Sequence, residues 1–249
     1  FPYTTLFRSA LQEQNLAIKF DPGYASAHYE RVILEIQVYQ EAFREATGAG
    51  RRKSLLNKII GIARQTEVSI PLDVQKKREL LEDRLRDLES LVHKNPRAIS
   101  EGRIACARGL WLWITGDFAG AREALLLGVN SEEVLEEAYE ALATLEMEAE
   151  NFEESIRWWT RGIKVDKGYV PHLEGRGFTY ILWAKGLEGS GKDSGEQFGL
   201  AIDDFTEALS RRPTSETRLE RGQAIVELAN FLLSRAPEGT SQESKYFQD

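Results

Sequence analysis

The string with the most enzyme-like spacing in this 249-residue chain is GLEGSGKD, residues 186–193. It comes within one residue of the phosphate-binding pattern G-x-x-x-x-G-K-[ST], in which backbone N–H groups cradle phosphate oxygens and the final hydroxyl holds Mg²⁺. FTYILW (178–183), just ahead of it, could pass for the strand that such a loop follows. Asp193 stands where the hydroxyl belongs, and a carboxylate there would repel phosphate. No acidic strand end follows, and the repeat spacing described below makes 170–185 a helix. The segment is therefore expected to be a Gly-rich turn between helices, with no cofactor site.

Other reactive side chains are scattered. His28, His93 and His172 lie far apart with no paired ligand spacing, and the only cysteine is Cys106. A zinc site needs three or four nitrogen or sulfur ligands, so no metal site is expected. His28 and His172 fall near the starts of helices, where capping or packing is expected. Cys106 falls inside a helix with no base in view, which points to a small buried apolar role rather than a nucleophile. Glu136, Glu137 and Glu140, and Glu153 with Glu154, read as solvated helix faces. Trp111 and Trp113 are two residues apart, about 200° around a helix, so one is expected in the core and the other on a binding face. No catalytic constellation emerges, and the chain is expected not to be an enzyme.

Composition narrows the partners. Apolar residues make up 42% and charged residues 29%, the balance of a folded domain rather than a disordered one. The net charge of −8 and the absence of a basic block argue against nucleic acid. The nearest basic cluster, Arg51, Arg52 and Lys53, reads as a solvated turn. No apolar run approaches the roughly 20 residues that cross a bilayer, so no membrane insertion is expected. A single cysteine excludes an internal disulfide and fits a reducing, cytoplasmic setting.

These residues must be positioned by elements, and the elements follow from a repeat. Gly109, Ala143 and Gly177 are spaced by 34 residues, as are Ala121 and Ser155, Phe118 and Phe152, and Leu125 and Trp159. The next copy, with Ala201, Phe205 and Ala208, is displaced by 46, which is 34 plus 12 inserted residues near 186–197. DPGY (21–24) matches DKGY (166–169), and LERG (219–222) opens like LEGRG (173–177). Small residues let the two helices of a hairpin approach, while leucine and aromatic side chains fill the space around them. Pro22 and Pro213 end helices, because proline lacks the N–H and clashes with the preceding turn.

The small residue of the first helix (Gly109, Gly177, Gly222), the G-D-F turn (116–118), the small residue opening the second helix (Ala121, Ala201) and the D-P exit (21–22) together resemble the tetratricopeptide-repeat (TPR) family. The 34-residue period is that family's length. The resemblance covers 102–235 well and 10–32 in part. Ala143 and Val32 replace the small glycine, and Lys167 stands where proline is usual. It implies an all-α fold, a superhelical solenoid of stacked helical hairpins. The expected organisation is a partial unit 10–22, an expanded unit 25–96, units 102–135, 136–169 and 170–213, a partial or capping unit 216–235, and a polar tail 236–249. In the expanded unit the helix 25–47 is expected to pair with a charged helix at 73–94, striped by Leu81, Leu85, Leu88 and Val92. The segment 48–72 between them reads as a tolerated surface excursion. Phe1–Ser9, FPYTTLFRS, resembles the in-frame translation of a sequencing adapter, so native sequence is expected from Ala10 onward, with the native N-terminus outside the chain.

In the TPR family the first helices line a concave groove. By that resemblance the partner-binding residues are Arg103, Cys106, Leu110 and Trp113 in one unit, Glu137, Glu140, Thr144 and Met147 in the next, then Glu174, Phe178 and Ile181. Spacing of i, i+3, i+7, i+10 keeps each set on one stripe. Such a groove is apolar with an acidic segment and suits a helix or extended peptide carrying apolar anchors and Lys or Arg. It lacks the Lys and Asn with which some TPR domains grip a C-terminal carboxylate. The implied function is a protein–protein interaction scaffold. The alternative is a regulatory or recruiting tail of a larger enzyme, such as a bacterial serine/threonine kinase, whose catalytic motifs are absent from this fragment.

Overall fold

The computed structural model describes residues 2–47, 71–95, 97–131 and 135–235. Among these residues the secondary structure is ten helices: α1 (Pro2–Phe20), α2 (Ala25–Thr47), α3 (Leu72–Lys94), α4 (Glu101–Thr115), α5 (Phe118–Val129), α6 (Glu136–Glu148), α7 (Phe152–Val165), α8 (Val170–Gly189), α9 (Gly195–Arg211) and α10 (Ser215–Arg235). The fold class is all-α, helical hairpins stacked in solenoid fashion. The chain divides into two compact units, Phe1–Tyr169 and Val170–Asp249. Most of the excursion expected at 48–72, and the tail 236–249, lie outside the described residues. Helix α1 takes in residues 2–9 of the segment read as foreign.

Helix ends are set by identifiable chemistry. Ser100 caps α4 by accepting the Arg103 N–H, and Asp117 caps α5 by accepting the Gly120 N–H. The turn between α4 and α5 is a Schellman motif: the Asp117 N–H reaches the Leu112 carbonyl at 2.9 Å and the Gly116 N–H reaches that of Trp113 at 3.1 Å. Gly116 takes the left-handed conformation this requires, with φ of 90°. One repeat later the same turn joins α6 to α7, with the Asn151 N–H on the Glu146 carbonyl at 2.8 Å. Here the left-handed position falls to Glu150, at φ 60°.

In the first unit α3 packs on α2, α5 on α4 and α7 on α6, while the first helices α2, α4 and α6 also touch in succession. The repeat's small and large positions meet within each hairpin. A methyl group on Gly109 would lie 2.6 Å from Leu125 Cγ, so only glycine permits this approach. Ala143 occupies the equivalent place on α6, and there Ser155 on α7 donates its hydroxyl to the Ala143 carbonyl at 2.7 Å. Leu125 and Trp159, the large positions, are fully buried. Burial of side chains of this size contributes about 1.5–3 kcal/mol each. The stripe on α3 buries Leu81, Leu85 and Leu88, with Val92 packed at the edge of the same core.

In the second unit α8 packs on α9, and α9 on α10. Phe178 and Phe205 meet edge-on with ring centroids 5.2 Å apart. The half-buried Arg176 guanidinium grips the buried Asp204 carboxylate through two contacts, at 2.6 and 2.9 Å. The twelve inserted residues do not form a long loop. They lengthen both helices, so that α8 and α9 have 20 and 17 residues against 13 and 14 in α6 and α7.

Candidate functional site

The loop that mimics a phosphate cradle is spent on ending a helix. The Lys192 N–H bonds to the Leu187 carbonyl at 2.9 Å and the Gly191 N–H to that of Glu188 at 2.9 Å. Gly191 is left-handed, with φ of 70°. This is a second Schellman cap, and it uses N–H groups that a phosphate would need. Asp193 accepts the Gly195 N–H at 3.0 Å and pairs with Arg235 at 3.3 Å.

Two of the histidines and the cysteine are buried. Helix α2 buries His28, whose Nε2–H donates to the Pro22 carbonyl at 3.1 Å and whose Nδ1 accepts from Arg31 at 3.3 Å. His172 is fully buried in α8, and His93 is exposed. Cys106 is fully buried, and burial pushes its thiol up to about 12. Among the described residues no group of three or more His, Cys, Asp or Glu side chains is placed to hold a metal, and no helix is long and apolar enough to cross a membrane.

The eleven residues expected to line a groove divide sharply. Cys106, Leu110, Trp113, Thr144, Met147, Glu174, Phe178 and Ile181 are buried. Only Arg103, Glu137 and Glu140 remain partly exposed. In the first unit the reason is that the stripe of each first helix forms a seam against the neighbouring first helices rather than an open wall, and in the second unit Phe178 packs against Phe205 of α9. Cys106 on α4 lies within electrostatic reach of Tyr29 on α2 and Glu137 on α6. Trp113 donates its indole N–H to Glu148 at 3.4 Å across the α4–α6 seam. Thr144 turns its hydroxyl onto the Glu140 carbonyl at 2.8 Å. In the second unit Glu174 accepts from the Thr217 hydroxyl at 2.5 Å and lies 3.6 Å from Arg212.

What remains accessible in the first unit is a charged strip above that seam. Arg103 stacks over the Tyr29 ring, 5.3 Å from its centroid. Glu140 accepts the Tyr169 hydroxyl at 3.1 Å. Burial raises the Glu137 carboxyl above its ordinary range, a hydrogen bond from its own backbone N–H opposes this, the neighbouring Glu136 and Glu30 push it further up, and Arg103 opposes them. A carboxylate in this state gains from any added cation. Of the paired tryptophans, Trp113 is buried and Trp111 is partly exposed, with the Arg78 guanidinium of α3 6.0 Å from its ring centroid. Trp111 therefore faces α3 rather than the charged strip.

No protein-family model matches the sequence, and no curated protein matches it. Among solved structures the chain is similar to the crystal structure of the yeast Tom70, at 18% identity and a TM-score of 0.45, over 90% of this chain and 43% of that one. The chain thus spans less than half the length of that neighbour.

Proposed function

We propose that this chain is a protein-interaction scaffold and that its first unit receives a basic segment of a partner protein along α4 and α6. The observation that carries this reading is Glu137, a half-buried carboxyl crowded by Glu136 and Glu30, which its own backbone N–H and Arg103 offset only in part. A lysine or arginine from a partner relieves that crowding at a site already partly removed from water, where a charge pair is stronger than on an open surface. Glu140, one turn along α6, extends the acidic strip in the same direction. The buried residues beneath, among them Cys106 and Thr144, act as a floor that fixes the strip. Apolar anchors on the partner pack at the margins of the seam.

The test is affinity capture with the full chain as bait, beside a Glu137→Lys, Glu140→Lys variant. Both substitutions fall at partly exposed positions, so the helices are expected to survive them. A partner retained by the parent and lost from the variant supports the reading. Equal capture by both, or capture by neither, removes the acidic strip as the binding site.

A further inference from the structure

Helix α10 carries an apolar stripe on the side away from its own core. Thr217, Glu220, Ala224 and Phe231 are buried. On the opposite side lie Leu219, Gly222, Val226, Ala229 and Leu233, at i, i+3, i+7, i+10 and i+14, all exposed. Leu219 is 56% exposed, Val226 57% and Leu233 73%, and the flanking Ile225 and Leu232 are 46% and 58% exposed. This is the spacing with which one helix packs along another.

Internal comparison shows what such a face is shaped to hold. Gly109 and Gly177, the equivalents of Gly222 in the repeat, each lie under a large side chain of a second helix. A methyl group would meet Leu125 at 2.6 Å on the first and Phe205 at 3.0 Å on the second. A methyl group on Gly222 would meet nothing within 4 Å. The position is open, and among the described residues no helix covers it.

We propose that a second copy of this chain covers the stripe, its α10 antiparallel across a two-fold axis at Val226. The order large, small, large, small, large (Leu219, Gly222, Val226, Ala229, Leu233) reads the same in both directions about Val226. An antiparallel partner therefore sets Leu219 against Leu233 at both ends and Val226 against Val226 at the centre. Gly222 falls within one residue of the level of Ala229, and these two small residues let the helix axes draw close. Self-complementarity of one patch is what a two-fold interface demands. Charge permits it, because the stripe itself carries no ionisable side chain between Leu219 and Leu233, and its flanks carry one each, Arg218 beside Ile225 and Leu232, and Glu216 beside Gln223 and Asn230. With the axis at Val226, Arg218 lies level with Ser234 of the second copy, and its aliphatic stem reaches along the flank toward Leu232. The five aliphatic side chains offer roughly 500 Å² per copy, or about 1,000 Å² for the pair, which reaches the lower range of specific interfaces. The pairing is independent of the acidic strip on α6.

Sedimentation velocity of the full chain across micromolar concentrations reads the result. The expected outcome is reversible conversion of the 28.2 kDa chain to a dimer. Val226→Glu places two carboxylates on the axis and is expected to weaken the dimer at least ~10-fold. Mixing Val226→Glu with Val226→Lys is expected to restore it as a heterodimer. Val226→Cys is expected to yield a disulfide-linked dimer on mild oxidation, and Cys106 is buried and does not compete. Should Val226→Glu fail to fold by circular dichroism, the Val226→Cys cross-link decides. A chain that stays monomeric and does not cross-link overturns the proposal, and so does a dimer indifferent to Val226→Glu. Either result would leave the stripe to a helix of another protein.

Discussion

Trp113 on α4 and Glu148 on α6 are joined by an indole hydrogen bond of 3.4 Å across the seam between two first helices. The other Glu148 oxygen, Oε1, is buried and has no hydrogen-bond partner among the described residues. Burial pushes this carboxyl up to about 8, with the Trp113 hydrogen bond working weakly the other way. An unfolded glutamate ionises near pH 4.3. The folded state therefore holds a proton that the unfolded state has released throughout the window from about 4.5 to 8. Stability from this group is full at the acid end and is lost as pH rises through that window. Glu148→Gln is expected to match the parent at pH 4.5 and to melt at a higher temperature at pH 9. Paired thermal melts at the two pH values check it.

The second titration runs in the opposite sense. His28 is held neutral between the Pro22 carbonyl and Arg31, and burial lowers its pKa below the ordinary histidine value. Unfolded histidine gains a proton near pH 6.5 while the folded ring does not. The contribution of His28 is thus complete above about 6.5 and declines as pH falls toward the folded pKa. In urea unfolding at pH 7.5 and 5.5, the advantage of the parent over His28→Gln is expected to shrink at the lower pH.

Glycines at matching repeat positions should respond in opposite ways. Gly109→Val drives a branched side chain into Leu125 and the α5 backbone, and overpacking of this kind costs about 1–3 kcal/mol. Gly222 sits in open space within α10 of the single chain, so at concentrations where the chain is monomeric Gly222→Ala is expected to gain about 0.5–1 kcal/mol from helix propensity. Denaturant midpoints of both variants test the contrast.

Glu150 occupies a left-handed position that Gly116 fills one repeat earlier. A side chain there costs roughly 1–2 kcal/mol relative to glycine. Glu150→Gly is expected to recover about 1 kcal/mol of that, partly offset by the greater freedom glycine gives the unfolded chain. A rise in urea midpoint checks it, and a fall would mean that the Glu150 side chain does more than cap.

These residues show what a sequence can specify. Helices and their pairing were legible because small and large residues alternate at a fixed period, and Gly109 with Leu125 shows the contact behind that pattern. The aligned turns at Gly116 and Glu150 also carried the signal for the strained residue, since 34 residues separate them. Burial was not legible. Spacing shows that Arg103, Cys106, Leu110 and Trp113 share one stripe of α4, but not whether solvent or another helix lies over it. Contacts of α4 with both α2 and α6 close most of that stripe and leave Arg103, Glu137 and Glu140 accessible. The glycines of 186–197 suggested a loop, yet Gly189 closes α8 and Gly195 opens α9.

The central claim is that the strip around Glu137 receives basic segments, and selection of peptides from a random display library on the full chain tests it most directly. The account predicts enrichment of sequences combining Lys or Arg with apolar anchors. Their affinity should rise with pH as Glu137 ionises, and Glu137→Lys with Glu140→Lys should abolish it. Enrichment of acidic peptides, or binding that the double variant leaves intact, would contradict it.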